Sequence, residues 1–234
     1  LSTLDEVDGF ILKSRSPSCG LRDSKRYPTV EKGAAVGKGA GVFAAQVLER
    51  FGDLAVEDEK RLSNLRIREH FLTKLFTLAR FRMVKRVKAM GVLVRFHTTH
   101  KLLLMAYNQK EMRLLGRIVA NAEKAPFSEV IAAYDTHLKR ALARLPRRTS
   151  PVNVCMHALG HVSPRLSARE KRFFLHLLER YRQEQVPLRA ALSVLQSWIL
   201  RFEEEYLREQ LFFSPYPEAL VDLHDSGKER DIRT

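Results

Sequence analysis

The sequence predicts a mainly α protein, a multi-helix bundle preceded by a short α/β remnant of the order strand, loop, helix, strand. Three observations carry that expectation. From Leu62 onward the apolar residues recur at a spacing near 3.6 residues, with no credible strand among them. Pro126, Pro146, Pro151, Pro164 and Pro187 stand at the joints of that pattern, where proline costs a helix least. Ahead of it, one short apolar run leads straight into a loop of serines, proline and glycine.

Taken in order, V-D-G-F-I-L-K at residues 7–13 reads as a buried strand, and S-R-S-P-S-C-G at 14–20 as the loop that ends it. A strand running into a polar loop is where α/β proteins keep their chemistry. Gly33, Gly37, Gly39 and Gly41 lead into a helix over 42–51 with Gly52 as its stop, and residues 54–56 read as a second strand. Ser63 or Asn64 caps the next helix, which runs to about residue 90 and is broken by Gly91. Further helices are expected over 92–107, ended by Asn108, and over 109–121, 127–145, 152–161, 168–185 and 188–212. Ser167 and Glu170 form a capping box at the start of the helix over 168–185. The domains expected are 1–60, the α/β part, 61–223, the helical part, and a polar, frayed tail over 224–234.

With 234 residues and 45% hydrophobic content the chain can bury a core. It holds no uninterrupted apolar run of membrane-spanning length, and its first residues resemble no signal peptide, so neither is expected. Two unlike cysteines, Cys19 and Cys155, point to a reducing compartment, and cytoplasm is the expected location. The chain starts on Leu1 rather than Met, and the expectation is that it begins inside a longer protein. The formal charge of +14 is concentrated: residues 61–120 carry 14 Lys and Arg against Glu69 and Glu111. Such a segment attracts phosphate-bearing partners, which makes nucleic acid a candidate partner beside the plain alternative of a solvated helix surface.

G-A-A-V-G-K-G at 33–39 fails as a phosphate-binding P-loop, because three residues rather than four separate Gly33 from Gly37, and Gly39 follows Lys38 where a hydroxyl is needed. A structural turn is the better reading. Cys19 lies in a loop after a strand, as a nucleophile or a metal ligand would, but one thiol holds no metal site alone, and on residues alone an inert loop cysteine is the better reading. His97, His100 and Lys101 stand at i, i+3 and i+4 on one helix face. The two histidines have metal-ligating spacing without an acid among them, so a cationic or hydrogen-bonding face explains them as well. Asn153 and His157 share a face in the same way. The aromatics, Tyr134, Phe174 and Trp198 among them, fall at core-like spacing and are expected to be packing.

Three stretches, D-G-F-I-L-K-S-R-S-P-S-C-G (8–20), G-K-G-A-G-V-F-A (37–44) and V-E-D-E-K-R-L (56–62), resemble the closing part of the TudS-like thiouracil desulfurase family. The rest, through R-I-R-E-H-F (66–71), F-H-T-T-H-K-L-L-L-M-A-Y (96–107), L-G-R-I-V-A-N (115–121), V-N-V-C-M-H-A-L-G (152–160), Y-R-Q-E-Q-V-P-L (181–188) and P-Y-P-E-A-L (215–220), resembles the YbgA-like domain often fused behind it. The first resemblance implies a 4Fe-4S cluster on three cysteines in the full-length protein, with an open iron for the sulfur of a thiolated nucleobase. Cys19 matches the last ligand, and Ser16 or Ser18 the assisting serine. The other two cysteines are expected ahead of Leu1, so these residues by themselves are expected to bind no cluster. The second resemblance implies no reaction. Its recurring polar positions correspond to His97, His100, Lys101, Tyr107, Asn121, Asn153, His157 and Tyr216, expected to line a pocket or face the neighbouring domain.

Overall fold

The computed structural model describes residue 4 and residues 6–28, 33–222 and 224–225. Among them are four strands and nine α-helices, a mainly α architecture with its strands confined to the first 58 residues. The chain divides into two compact units, residues 1–83 with 216–234, and residues 84–215.

In the first unit, β1 (Gly9–Leu12) and β4 (Ala55–Asp58) pair in parallel, Gly9 opposite Ala55 and Leu12 opposite Asp58. A parallel pair needs a crossover, and α1 (Val42–Phe51) supplies it. The apolar side of α1, Ala44 and Val47, packs with Leu12 and Leu21, and Phe10 meets the Phe51 ring at 5.2 Å. Gly9 is required where β1 is hemmed in on both sides: a Cβ there would strike the Ala55 carbonyl and lie 2.9 Å from Leu75 Cδ1. Two short strands escaped the sequence reading, β2 (Ser24–Arg26) and β3 (Gly37–Gly39), paired antiparallel with Lys25 opposite Lys38. The glycine run expected to form a turn is thus partly strand. Glycine and lysine carry no strand signal, so the pairing is set by the tie at its base described below.

Helix α2 (Leu65–Val87) starts where Asn64 caps it, its side-chain oxygen accepting from the Ile67 amide at 3.2 Å. Asp225 accepts from the Leu65 amide at 3.0 Å, and the Arg68 guanidinium donates to the carbonyls of Asp222 and His224. Asp222, His224 and Asp225 are therefore tied to the start of α2. The rest of the expected frayed tail, residues 226–234, lies outside the described residues. Thr73, Lys74 and Thr77 are buried along with Ile67, Phe71 and Leu78, so α2 has little solvated face.

The second unit holds α3 (Met90–Tyr107), α4 (Gln109–Ala120), α5 (Phe127–Ala141), α6 (Thr149–Val162), α7 (Ala168–Arg182), α8 (Leu188–Arg201) and α9 (Glu205–Arg208). The break before α3 is at Lys88, in the left-handed region at φ 55°, and Gly91 lies inside α3 rather than breaking the chain. Asn108 ends α3 and caps α4 through its side-chain oxygen, which accepts from Glu111 N at 3.1 Å. The capping box of Ser167 and Glu170 forms at α7. The long last helix stops at Arg201, since Glu203 is left-handed at φ 52° and Arg165 takes the Phe202 carbonyl at 2.6 Å. Leu93, Leu103, Leu104, Leu115, Tyr134, Leu138, Phe174 and Leu195 are wholly buried, or nearly so, and form its core. Among the described residues no helix is long and apolar enough to cross a membrane.

Candidate functional site

The loop after β1 is held by its own side chains. Ser16 Oγ accepts from the amides of Ser18 (3.3 Å) and Cys19 (3.1 Å), and the Gly20 amide returns to the Ser16 carbonyl at 2.9 Å. Asp23 takes the Ser14 hydroxyl at 2.8 Å and the Arg15 amide at 2.7 Å, and Arg15 is left-handed at φ 61°. Burial pushes the Asp23 carboxyl up, but these two hydrogen bonds, together with its own amide and the Lys60 charge, hold it below its ordinary range.

The far side of the loop docks on the start of α1. Val42 N donates to Pro17 O at 3.3 Å and Ala44 N to Ser18 O at 3.0 Å, so amides that a helix leaves unpaired are taken by loop carbonyls. The glycine-rich entry therefore offers loop carbonyls, not an anion, to these amides. Gly41 N donates to Gly20 O at 2.8 Å and closes the base of the β2–β3 hairpin. Cys19 sits half-buried against the Leu12, Leu21, Ala44 and Val47 cluster, Ser16 is half-buried, and Ser18 is exposed.

The recurring polar residues of the second unit stand on α3, at the end of α4 and on α6. His97 Nδ1 meets the Tyr134 hydroxyl at 3.1 Å. His100 is 1% exposed, stacks on Phe96 at 3.9 Å, and its Nδ1 donates to the Phe96 carbonyl at 2.7 Å. Lys101 is exposed and Tyr107 half-buried at the end of α3. Asn121, left-handed at φ 42°, exchanges two hydrogen bonds with Ala125 at 3.0 and 2.9 Å and so closes the α4–α5 turn. Asn153 and His157 lie on the exposed side of α6. Tyr216 is buried and belongs to the first unit.

Burial first and Lys101 second push the His97 imidazole from 6.5 down to about 4; burial first and Lys74 second do the same to His70 on α2. The fold thus holds both rings neutral. Their contribution to stability is fully present above pH 6.5 and is lost as pH falls from 6.5 towards 4. Urea midpoints measured across that window should fall with acid, and the fall should be shallower in His97→Gln. Burial pushes the Tyr134 hydroxyl well above its ordinary value.

Gln210, Glu111 and His137, outside the expected set, shape these surroundings. Gln210, 3% exposed, accepts from the Leu102 amide at 3.1 Å and donates to the Thr98 carbonyl at 2.9 Å. Its amide thus bridges two groups that an unbroken helix joins to each other. His137 Nδ1 lies 2.7 Å from Glu111 Oε2 across α4 and α5. Sequence offers no signal for either pairing, because the partners are 26 residues apart in one case and 108 in the other. His70 had one: it stands within the R-I-R-E-H-F stretch.

A cluster on three cysteines does not fit the residues present. The sequence has two cysteines. Cys155 is wholly buried in α6 of the second unit, where burial pushes its thiol up to about 12. Among the described residues no group of three or more His, Cys, Asp or Glu is placed to hold a metal ion. A thiol reagent should therefore label Cys19 in the native protein and Cys155 only after unfolding, as mass spectrometry of the tagged peptides would read; labelling of Cys155 first would contradict the packing.

Residues 1–59 match the 2-thiouracil desulfurase family, and residues 101–217 match the family described as protein of unknown function (DUF1722). The chain is also 27% identical over 184 residues to the uncharacterized protein YbgA of Escherichia coli (strain K12), covering 77% of this chain and 98% of that protein. No solved structure matches.

Proposed function

Because the chain belongs to the DUF1722 family and opens on a stretch similar to 2-thiouracil desulfurase, we propose that the whole protein removes sulfur from a thiolated nucleobase or a related thioamide, with the helical part as an accessory or substrate-recognition module. The observation that carries this reading is the Cys19 loop, whose thiol is half-buried on a backbone fixed by Ser16 and by the first turn of α1. A cysteine held on so constrained a backbone is suited to ligation or sulfur chemistry, which tolerate little displacement of the sulfur.

The loop's hydrogen bonds support a division of labour between its serines. Ser16 spends its oxygen on the Ser18 and Cys19 amides and positions the loop. Ser18, exposed beside the thiol, is the serine assigned to touch substrate. Since these residues do not complete a three-cysteine cluster, the reading takes the remaining thiols from outside them, and no step is derived through an iron site. The test is anaerobic reconstitution of the full-length protein with iron and sulfide, followed by sulfide release from 2-thiouracil. Activity that Cys19→Ser abolishes and Ser18→Ala lowers supports the reading; sulfide release unchanged in Cys19→Ser overturns it.

A further inference from the structure

The charge lies in one unit. Residues 84–215 carry 23 Lys and Arg against 11 Asp and Glu, while the rest of the chain carries 18 against 16. Within that unit, α3 packs on α4 and α4 on α5. On α4, Lys110, Arg113 and Arg117 fall at i, i+3 and i+7 and are all exposed, opposite the buried Met112, Leu115 and Val119. They form an outward stripe about 10 Å long.

Both flanks of that stripe are fixed. On one, a Cβ at Gly116 would lie 3.4 Å from His97 Nε2, which sets α3 beside α4, and exposed Lys101 follows His97 by one turn. On the other, Glu111 holds His137 of α5 at 2.7 Å, exposed Arg140 follows it by one turn, and Arg144, also exposed, stands in the bend just past the end of α5. Six exposed cations thus lie on three packed helices, five within α3, α4 and α5 and Arg144 just past the end of α5. Among the described residues none of the six forms an ion pair, and Glu111, the acid set between α4 and α5, is engaged with His137.

We propose that this face docks the phosphodiester backbone of RNA. Unpaired cations in a row attract polyphosphate, and four of the six are arginines, whose planar fork matches phosphate. No large apolar side chain is exposed on α4 or α5, and those exposed on α3, Val92 and Val94, lie two turns or more from Lys101, so the stripe itself lacks what a membrane surface or a protein hot spot would engage. The choice of RNA over DNA rests on the desulfurase reading, since uracil is an RNA base. The contacts select phosphate and not sequence, so the face holds a strand without choosing its bases.

The test is fluorescence anisotropy of the full chain with a labelled, uracil-rich, single-stranded RNA that carries no sulfur, so its result is independent of desulfuration. Affinity should fall with salt with a log–log slope of about −4 if all six cations meet phosphate. The triple variant K110E/R113E/R117E should bind more than about tenfold more weakly, with a slope shallower by about 2. R172E/R180E on α7 should behave as the parent. Since the altered residues are exposed, the fold should persist by circular dichroism; the set K101Q/R140Q/R144Q, which adds no repulsion, should weaken binding on its own if the triple variant does not fold. Salt-independent or absent binding, tighter binding of single- or double-stranded DNA than of RNA, or binding of phosphatidylserine vesicles in place of RNA each overturns the proposal.

Discussion

Replacing Gly41 by alanine is expected to detach the Cys19 loop from α1 and to cost about 3 kcal/mol of stability. Gly41 has φ −66° and ψ 164°, a conformation open to any residue, so the requirement is room and not torsion. A Cβ there would strike the Ser18 carbonyl and stand 2.6 Å from the Pro17 carbonyl oxygen. All the obstructing atoms are backbone, so no side chain can swing aside, and either the loop or the helix start must move. Three hydrogen bonds are made at that seam, from the Val42 and Ala44 amides to the loop and from Gly41 N to Gly20 O, and all would lengthen together. Urea unfolding measures the stability, and the labelling rate of Cys19 measures the loop: the thiol should react faster in Gly41→Ala than in the parent. A parent-like rate and midpoint would mean that the seam does not hold the loop.

Gln210→Glu is expected to destabilise the second unit by about 3 kcal/mol at neutral pH, more than an exposed exchange of the same shape would. The amide nitrogen donates to the Thr98 carbonyl and the amide oxygen accepts from the Leu102 amide. A carboxylate keeps the acceptor and loses the donor, placing a negative charge against the part-buried Thr98 carbonyl oxygen. Protonation restores a donor, so the loss should shrink on acidification, opposite in sign to the effect of His97 and His70. Gln210→Ala removes both hydrogen bonds and should cost about as much, since it strands the buried Leu102 amide as well as the Thr98 carbonyl. The adjoining Leu211 N to Thr99 O bond, 2.9 Å, reports the same contact, and hydrogen exchange at Leu102 and Leu211 should quicken in both variants. Unchanged exchange at Leu102 would show that α3 closes its own ladder without help.

The helices were legible because their signals are local. The apolar spacing, the joint prolines, Asn64, Asn108 and the box of Ser167 with Glu170 each act within a turn or two, and each stands where the sequence placed it except Pro151, which lies in the first turn of α6 instead of ahead of it. Leu12 with Ala55 and Val56, apolar and bounded by turn formers, likewise marked the two strands, whereas their parallel pairing is seen only in the fold. What was not legible depends on distant partners or on backbone choices. Lys88 and Glu203 adopt left-handed conformations that no glycine advertises, and they, not Gly91 or a stretch near residue 212, end their helices. Strands β2 and β3 carry Ser, Lys, Arg and Gly, so only their pairing at a closed base defines them. In the candidate site, the order of the Cys19 loop could be inferred from its serines and glycine, whereas the roles of Asp23, Gly41 and Gln210 come from bonds that cross the chain.

The Gly41 to Gly20 bond has a bearing on how this sequence can change. It pinches residues 20–41 into a side branch whose two feet stand together, so chain added between Arg26 and Val36 leaves the distance between those feet as it was. The entropy cost of such an insertion grows only with the logarithm of length. Selection is then free to lengthen, shorten or recharge that branch beside Cys19, altering which molecules can approach the thiol, while the thiol's own mounting is inherited unaltered.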